Sequence, residues 1–183
     1  MRETPAARSN TTSAPDQVGR AAAFEVLADQ RLYESYKLAN AILGSPHSAQ
    51  DAVHDAFVKA WERWPSLRDP ASLDAWFKRI VINACRDRLR QAKHRDVADI
   101  AAQTDLAAPD HVHGIHDRVR VEQALTRLKP DDRILLALRY YEDQKLDAIA
   151  ALLGVPTGTV KSRLNAAHGR LRSALVRPGE TRR

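Results

Sequence analysis

The chain is 183 residues long and 44% hydrophobic, with 29 Lys and Arg against 23 Asp and Glu, a formal net charge of +6 at pH 7. That length suits one packed domain or two small domains of about 70 residues each, and the positive balance points to a polyanionic partner, either nucleic acid or an anionic membrane surface. A single cysteine, Cys85, excludes an intramolecular disulfide framework and a cysteine-cluster zinc site, and no apolar run approaches the roughly 18 residues needed to span a bilayer, so a cytoplasmic chain that is not itself a membrane protein is expected.

In chain order, residues 1–22 lack the apolar core of a secretory signal, and Glu3 and Asp16 argue against a transit peptide. A disordered N-terminal extension is expected there. From residue 23 the pattern is helical. Phe24, Leu27, Leu32, Tyr36, Ala39, Ile42 and Leu43 recur at helical spacing until Gly44, Ser45 and Pro46 end the segment. Ser48 precedes a second amphipathic helix carrying Ala52, Val53, Ala56, Phe57, Ala60 and Trp61, closed by Pro65. A third begins near Ser72, read as its N-cap, and runs through Leu73, Trp76, Phe77, Ile80, Val81, Ala84 and Leu89. The spacing of Trp76 with Ile80 assigns it to the core, and Cys85 sits among apolar neighbours as a small buried residue rather than a redox sensor.

Charge is distributed in blocks. Between Phe77 and Arg95 stand Lys78, Arg79, Arg86, Arg88, Arg90, Lys93 and Arg95 against the single acid Asp87. Between Asp96 and Asp117 there are five aspartates and no Lys or Arg, with few bulky apolar residues, which reads as a flexible acidic linker and a domain boundary. The linker's HVHGIH places His111, His113 and His116 close together, but no carboxylate or thiolate pattern fixes a coordination geometry, and no metal site is expected.

After the linker, Val119, Val121, Leu125 and Leu128 form a helical stripe that stops before Pro130. Asp131 is read as the cap of the next helix, with Ile134, Leu135, Leu138 and Tyr141 inward. Then KLDAIAALL, the turn GVP and TGTVKSRLNAAHGRLRSALV spell a helix, a glycine-containing turn and a second helix: a helix-turn-helix over about residues 146–165, with Gly154 as left-handed C-cap and Thr157 as N-cap. In its second helix Val160, Leu164, Ala167, Leu171 and Leu175 make the buried stripe. Thr157, Thr159, Lys161, Ser162, Arg163 and Asn165 are left on the outward edge. These residue types suit DNA, since Lys and Arg neutralise phosphates or read guanine, Asn pairs with adenine, and hydroxyls donate to phosphate near a positive helix end.

LDAIAALLGVP followed by GTVKSRL closely resembles the region 4 helix-turn-helix of extracytoplasmic-function (ECF) sigma factors of the sigma-70 family. Independently, SAQDAVHDAFVKAWERW resembles their region 2.2, and LDAWFKRIVINACRDRLR their regions 2.3 and 2.4. The two matches stand in the right order over roughly Ala28 to Val176. The resemblance implies an all-α fold of two small helical domains joined by a flexible linker: region 2 over 23–95, the acidic linker over 96–116, region 4 over 117–177, and a basic tail over 178–183.

It also implies a function: a subunit that joins core RNA polymerase, directs initiation at a two-part promoter and assists strand opening, with an anti-sigma factor as a further partner. In the family the region 2.2 helix docks on a coiled coil of the polymerase's largest subunit, which assigns Asp51, His54, Asp55, Phe57 and Trp61 as core contacts. Phe57 is expected to be largely buried, whereas Asp51 and Asp55, on the opposite face, are expected to be free for the partner. WPSLRDPAS resembles the loop that captures a base flipped from the minus-10 element, with Leu67 and Arg68 at the matching positions. Lys78, Arg79, Asn83, Arg86 and Arg90 would hold the opened strand behind it, and Thr157, Thr159, Lys161, Ser162, Arg163 and Asn165 would contact the minus-35 element. His54 and Asp55 stand where members often have Gln-Glu, Leu67 where many have Phe, and Ala166 and His168 at two usual arginines. No catalytic triad spacing or phosphate-binding glycine loop competes, so no enzyme activity, cofactor or small-molecule substrate is expected. A stand-alone helix-turn-helix regulator would share the second half without needing the first, and a degenerate sigma-like interaction module would lose the basic surfaces.

Overall fold

The computed structural model describes residues 14–67, 69–99, 120–121 and 123–175, and among these every regular element is helical. The chain divides after Leu32 into two compact units. The first contains the beginning of α1 (Ala14–Leu43). This helix reaches back into the stretch expected to be a disordered extension; Ala21, Ala22 and Ala23, strong helix formers, extend the helical run upstream of Phe24. Leu27 is buried there, while Val26 and Leu32 are exposed.

The second unit holds the rest. Leu38, Ala39 and Ile42 bury the inner stripe of α1, which ends where Gly44 turns left-handed at φ +68° and its N–H donates to the Asn40 carbonyl at 2.8 Å. Ser45 then accepts from the Ser48 N–H at 3.3 Å, and Pro46 opens α2 (Pro46–Arg63), two residues before the start expected from Ser48. A Cβ at Gly44 would lie 3.3 Å from Arg133 Nη2 and would occupy a backbone conformation costly for any L side chain. Gly44→Ala is therefore expected to destabilise the protein by about 1 to 2 kcal/mol, read as a lower midpoint in thermal unfolding followed by circular dichroism.

Small residues line the inner face of α2, with Ala49, Ala52, Ala56 and Ala60 all fully buried, so α3 (Leu73–Asp99) can pack close with Phe77, Ile80, Val81, Ala84 and Cys85. Phe57 is half-buried, its ring 4.8 Å from that of Phe77. Two 3₁₀ turns, Trp64–Ser66 and Pro70–Ser72, connect the helices. Asp69 caps the second of these turns, its Oδ1 accepting from the Ala71 N–H at 3.0 Å, and the Ser72 hydroxyl, just before α3, donates to the Asp69 carbonyl at 2.7 Å. Trp76 is half-buried and meets Trp64 edge-on at 6.2 Å.

In the C-terminal half, residues 120–121 and 123–126 are helical and Ala124 and Leu128 are buried. Helix α4 (Pro130–Leu136) begins on Pro130 itself, with Lys129 in extended geometry as N-cap; Asp131 lies in the first turn instead of capping it. Proline suits that first position because its missing N–H has no intrahelical acceptor. A π-helical turn, Ala137–Tyr141, follows, closed by the Glu142 N–H on the Ala137 carbonyl at 3.0 Å. Helix α5 (Leu146–Leu153) ends at Gly154, left-handed at φ +67°, and α6 (Thr157–Leu175) buries Val160, Leu164 and Ala167, with Leu171 and Leu175 half-buried. Asp132, 5% exposed, receives a bidentate pair from Arg170 of α6, at 2.6 Å from Nε and 2.7 Å from Nη2.

Candidate polymerase and nucleic-acid interfaces

The second helix presents a narrower outward stripe than its sequence suggests. His54, Val58 and Trp61, at steps of four and three, are exposed together, Val58 at 45% and Trp61 at 39%. Val58 was not among the residues singled out from sequence; an apolar side chain on the polar face was the available signal. Asp51 and Asp55 differ from expectation. Both turn toward α3, where the Arg88 guanidinium donates to Asp51 Oδ2 at 3.0 Å through Nη1 and to Asp55 Oδ2 at 2.7 Å through Nη2 and 3.2 Å through Nε. The hydrogen bonds it donates to Asp55, and the charges of both acids, hold the Arg88 guanidinium above its ordinary pKa. The two carboxylates thus tie α2 to α3 and keep only part of their surface for a partner.

The loop after α2 places Leu67 half-buried after the first 3₁₀ turn, its N–H on the Trp64 carbonyl at 3.0 Å. Arg68 lies outside the described residues, as do His111, His113 and His116; among the described residues no group of three or more His, Cys, Asp or Glu is placed to hold a metal.

The basic face of α3 meets the C-terminal helices. Lys78 Nζ pairs with Glu142 Oε2 at 2.5 Å. Arg79 donates through Nε to the Leu152 carbonyl at 3.0 Å and through Nη2 to the Ala151 carbonyl at 2.9 Å, both at the C-terminal end of α5. Arg86 donates through Nε to Asp131 Oδ1 at 2.9 Å and through Nη1 to Asn83 Oδ1 at 2.7 Å. Arg90 is exposed and lines, with Lys59, Arg63, Arg86 and Arg163, a cavity of about 400 Å³ shared by α3 and α6.

On α6, Lys161, Ser162, Arg163 and Asn165 are exposed, and Thr159 is half-buried. Thr157 is the first helical residue rather than the N-cap, because Pro156 sets the approach and its carbonyl accepts from the Thr159 and Val160 N–H groups. Its hydroxyl is spent on Asp147 Oδ1 at 2.7 Å, a bond that staples the two helices of the helix-turn-helix. His168 accepts or donates a 2.7 Å bond with the Tyr140 hydroxyl, their rings 5.3 Å apart.

Cys85 is buried in α3, and desolvation pushes its thiol up to about 12. With a thiolate fraction on the order of 10⁻⁴ at pH 8, the folded chain is expected to resist alkylation by iodoacetamide and to react promptly once unfolded, a contrast that mass spectrometry reads directly.

Comparison with known proteins follows the same division of the chain. The Sigma-70 region 2 family matches residues 28–95 and the Sigma-70, region 4 family matches residues 118–171. The ECF RNA polymerase sigma factor SigM of Mycobacterium tuberculosis is 33% identical over 149 residues, covering 81% of this chain and 75% of that protein. SigL of the same organism is 31% identical over 175 residues, covering 91% of this chain and 99% of that protein. Among solved structures, the sigma factor RpoE of Bartonella quintana in complex with the anti-sigma factor NepR superposes with a TM-score of 0.61 at 26% identity, covering 83% of this chain and 96% of that one. CnrH in complex with the cytosolic domain of CnrY shares the fold, with a TM-score of 0.61 at 23% identity over 86% of this chain and 90% of that one.

Proposed function

The chain belongs to the ECF sigma factors of the sigma-70 family, and from that membership we propose how its individual surfaces are used. It is a promoter-recognising sigma factor: it joins core RNA polymerase and directs initiation at promoter DNA. The observation that carries this reading is the ordered pair of region 2 and region 4 on one chain, the second bearing an α6 whose exposed edge is Lys161, Ser162, Arg163 and Asn165.

In our assignment the His54, Val58 and Trp61 stripe of α2 docks on core polymerase, with Phe57 supporting it from beneath and Asp51 and Asp55 orienting the helix through Arg88. Leu67 and Arg68 take the flipped base of the minus-10 element; Lys78, Arg79, Asn83, Arg86 and Arg90 hold the single strand by its phosphates. Thr159, Lys161, Ser162, Arg163 and Asn165 face the minus-35 element, and Thr157 positions α6 through Asp147. The protein acts by binding and not as an enzyme, in the bacterial cytoplasm. No helix among the described residues is long and apolar enough to cross a membrane. The complex of RpoE with the anti-sigma factor NepR supports an anti-sigma protein as a further partner.

Run-off transcription with purified bacterial core polymerase on a library of promoter fragments tests the reading. Initiation at a defined subset is expected only when the chain is added. Core binding without initiation anywhere would leave an interaction module, and specific DNA binding by the chain without core would leave a stand-alone regulator.

A further inference from the structure

We propose that the cavity lined by α2, α3, α4 and α6 is a binding site for a small anion carrying a diphosphate group. The site stands on the charges and shape of the cavity; its consequence for DNA rests on the assignment of Arg90 to the minus-10 strand and Arg163 to the minus-35 element.

The charges that line the cavity do not balance. Its wall, around about 400 Å³, carries five cations, Lys59 and Arg63 of α2, Arg86 and Arg90 of α3 and Arg163 of α6, against two acids, Asp87 and Asp131. Both acids are taken, Asp87 by Lys59 at 3.3 Å and Asp131 by Arg86 at 2.9 Å. Arg63, Arg90 and Arg163 remain, on three different helices, with no acid partner among the described residues. Asn83 adds a donor, because Arg86 Nη1 occupies its Oδ1 at 2.7 Å and leaves its amide N–H groups. A second cavity, of about 490 Å³, is continuous with the first through Arg90, Asp131, Leu135 and Arg163 and brings in Lys129, also without an acid partner.

Three like charges around one concave space repel one another, and no described carboxylate is left to neutralise them. A bound anion does so. Guanidinium forks match phosphate oxygens with paired N–H donors, and a volume of about 400 Å³ lies within the small-ligand range and exceeds what one phosphate fills. Two linked phosphoryl groups supply oxygens enough for cations held by three helices. Arg63, Arg90 and Arg163 are exposed, so the mouth is open to solvent, and half-buried Leu153 and Val155 give its wall an apolar part on which a nucleoside can rest. Lys59 and Arg63 belong to no surface assigned to polymerase or DNA, so the cavity is more than the strand-binding face continued.

The consequence is competition. A diphosphate in the cavity and a DNA strand on α3 draw on the same Arg90 guanidinium, so each excludes the other.

Isothermal titration of the free chain with pyrophosphate, in magnesium-free buffer at fixed ionic strength, tests the site without polymerase or DNA. Saturable one-to-one binding is expected, roughly tenfold tighter than that of inorganic phosphate. Arg63→Ala is expected to weaken it about tenfold through loss of a charge-assisted donor, whereas Arg172→Ala, which removes an equal charge from an exposed position of α6 outside the cavity, leaves it unchanged. Both side chains are exposed, so without the anion both variants should unfold at the wild-type temperature. Adenosine and guanosine diphosphates are titrated alongside: binding tighter than that of pyrophosphate makes the ligand a nucleotide resting on Leu153 and Val155, and equal binding makes it the diphosphate group alone. Absence of saturable binding, or an equal loss in Arg63→Ala and Arg172→Ala, overturns the proposal, because the anion is then held only by diffuse positive charge. Competition is read by fluorescence anisotropy of a labelled single-stranded DNA oligonucleotide on the same free chain. Pyrophosphate is expected to displace it from wild type and to do so about tenfold less effectively from Arg63→Ala. Pyrophosphate binding without displacement would strike the assignment of Arg90 to the strand and leave the anion site standing.

Discussion

Val58→Asp is expected to weaken binding to core RNA polymerase by about 30-fold, or ~2 kcal/mol, while leaving thermal unfolding almost unmoved. The side chain is 45% exposed on the outward stripe of α2, flanked by His54 and Trp61. A carboxylate at such a site changes folding stability by only about 0.5 kcal/mol, but when a partner covers the stripe that charge must be desolvated with no counter-ion. Binding and folding therefore separate, which they would not for Phe57, packed on Phe77. Asp51→Ala with Asp55→Ala provides the contrast. Core affinity is expected to fall with DNA specificity unchanged, but the melting midpoint should fall too, because Arg88 loses both acceptors. Arg88→Ala removes the same ion pairs and keeps the acids, so its core affinity measures how much of the loss comes through helix placement. Pull-down on immobilised core, paired with calorimetry of the free chain, reads all three variants; intact affinity in Val58→Asp would remove the stripe from the polymerase interface.

That contrast marks where sequence reasoning succeeds and where it stops. Within α6 periodicity is enough: Val160, Leu164 and Ala167 were assigned to the core by spacing alone and are buried, and Gly154 was placed as a left-handed cap and has φ +67°, whereas Leu32, Val121 and Tyr141, placed on apolar stripes by the same reasoning, are exposed. The limits are set by partners distant in the chain. Asp51 and Asp55 lie on the polar side of α2, and nothing in the local pattern says that Arg88, more than thirty residues on, stands across from them. The same holds for Lys78, Arg79 and Arg86, whose composition advertised a phosphate-binding face but whose occupants, Glu142, the α5 carbonyls and Asp131, come from beyond the linker. Local chemistry also misled at helix starts. At Thr157 and Asp131 a capping side chain was inferred where a neighbouring proline already sets the first turn, which frees the hydroxyl of Thr157 for Asp147 and the carboxylate of Asp131 for Arg86.

Arg163→Ala is expected to cost about 1 to 3 kcal/mol at a single base pair of the minus-35 element, with the salt dependence of binding unchanged. The N-terminal part of a recognition helix meets base edges, and Arg163 sits there beside Lys161 and Ser162 on the exposed edge, one turn past the half-buried Thr159. A guanidinium in that place can offer two parallel donors to guanine, and its loss is felt at one position only. Lys161→Ala, by comparison, removes a point charge: its effect should be nearly uniform across sequences and should flatten the salt slope by about one unit. Both must be measured on holoenzyme, since in the free chain Arg163 shares a cavity with Arg90 and cannot be read as a DNA contact alone. A binding matrix over all single substitutions in the minus-35 element, repeated at several salt concentrations, separates the roles; if Arg163→Ala flattens the slope and weakens every sequence alike, Arg163 is a phosphate contact and the reading of the base passes to Asn165 and Ser162.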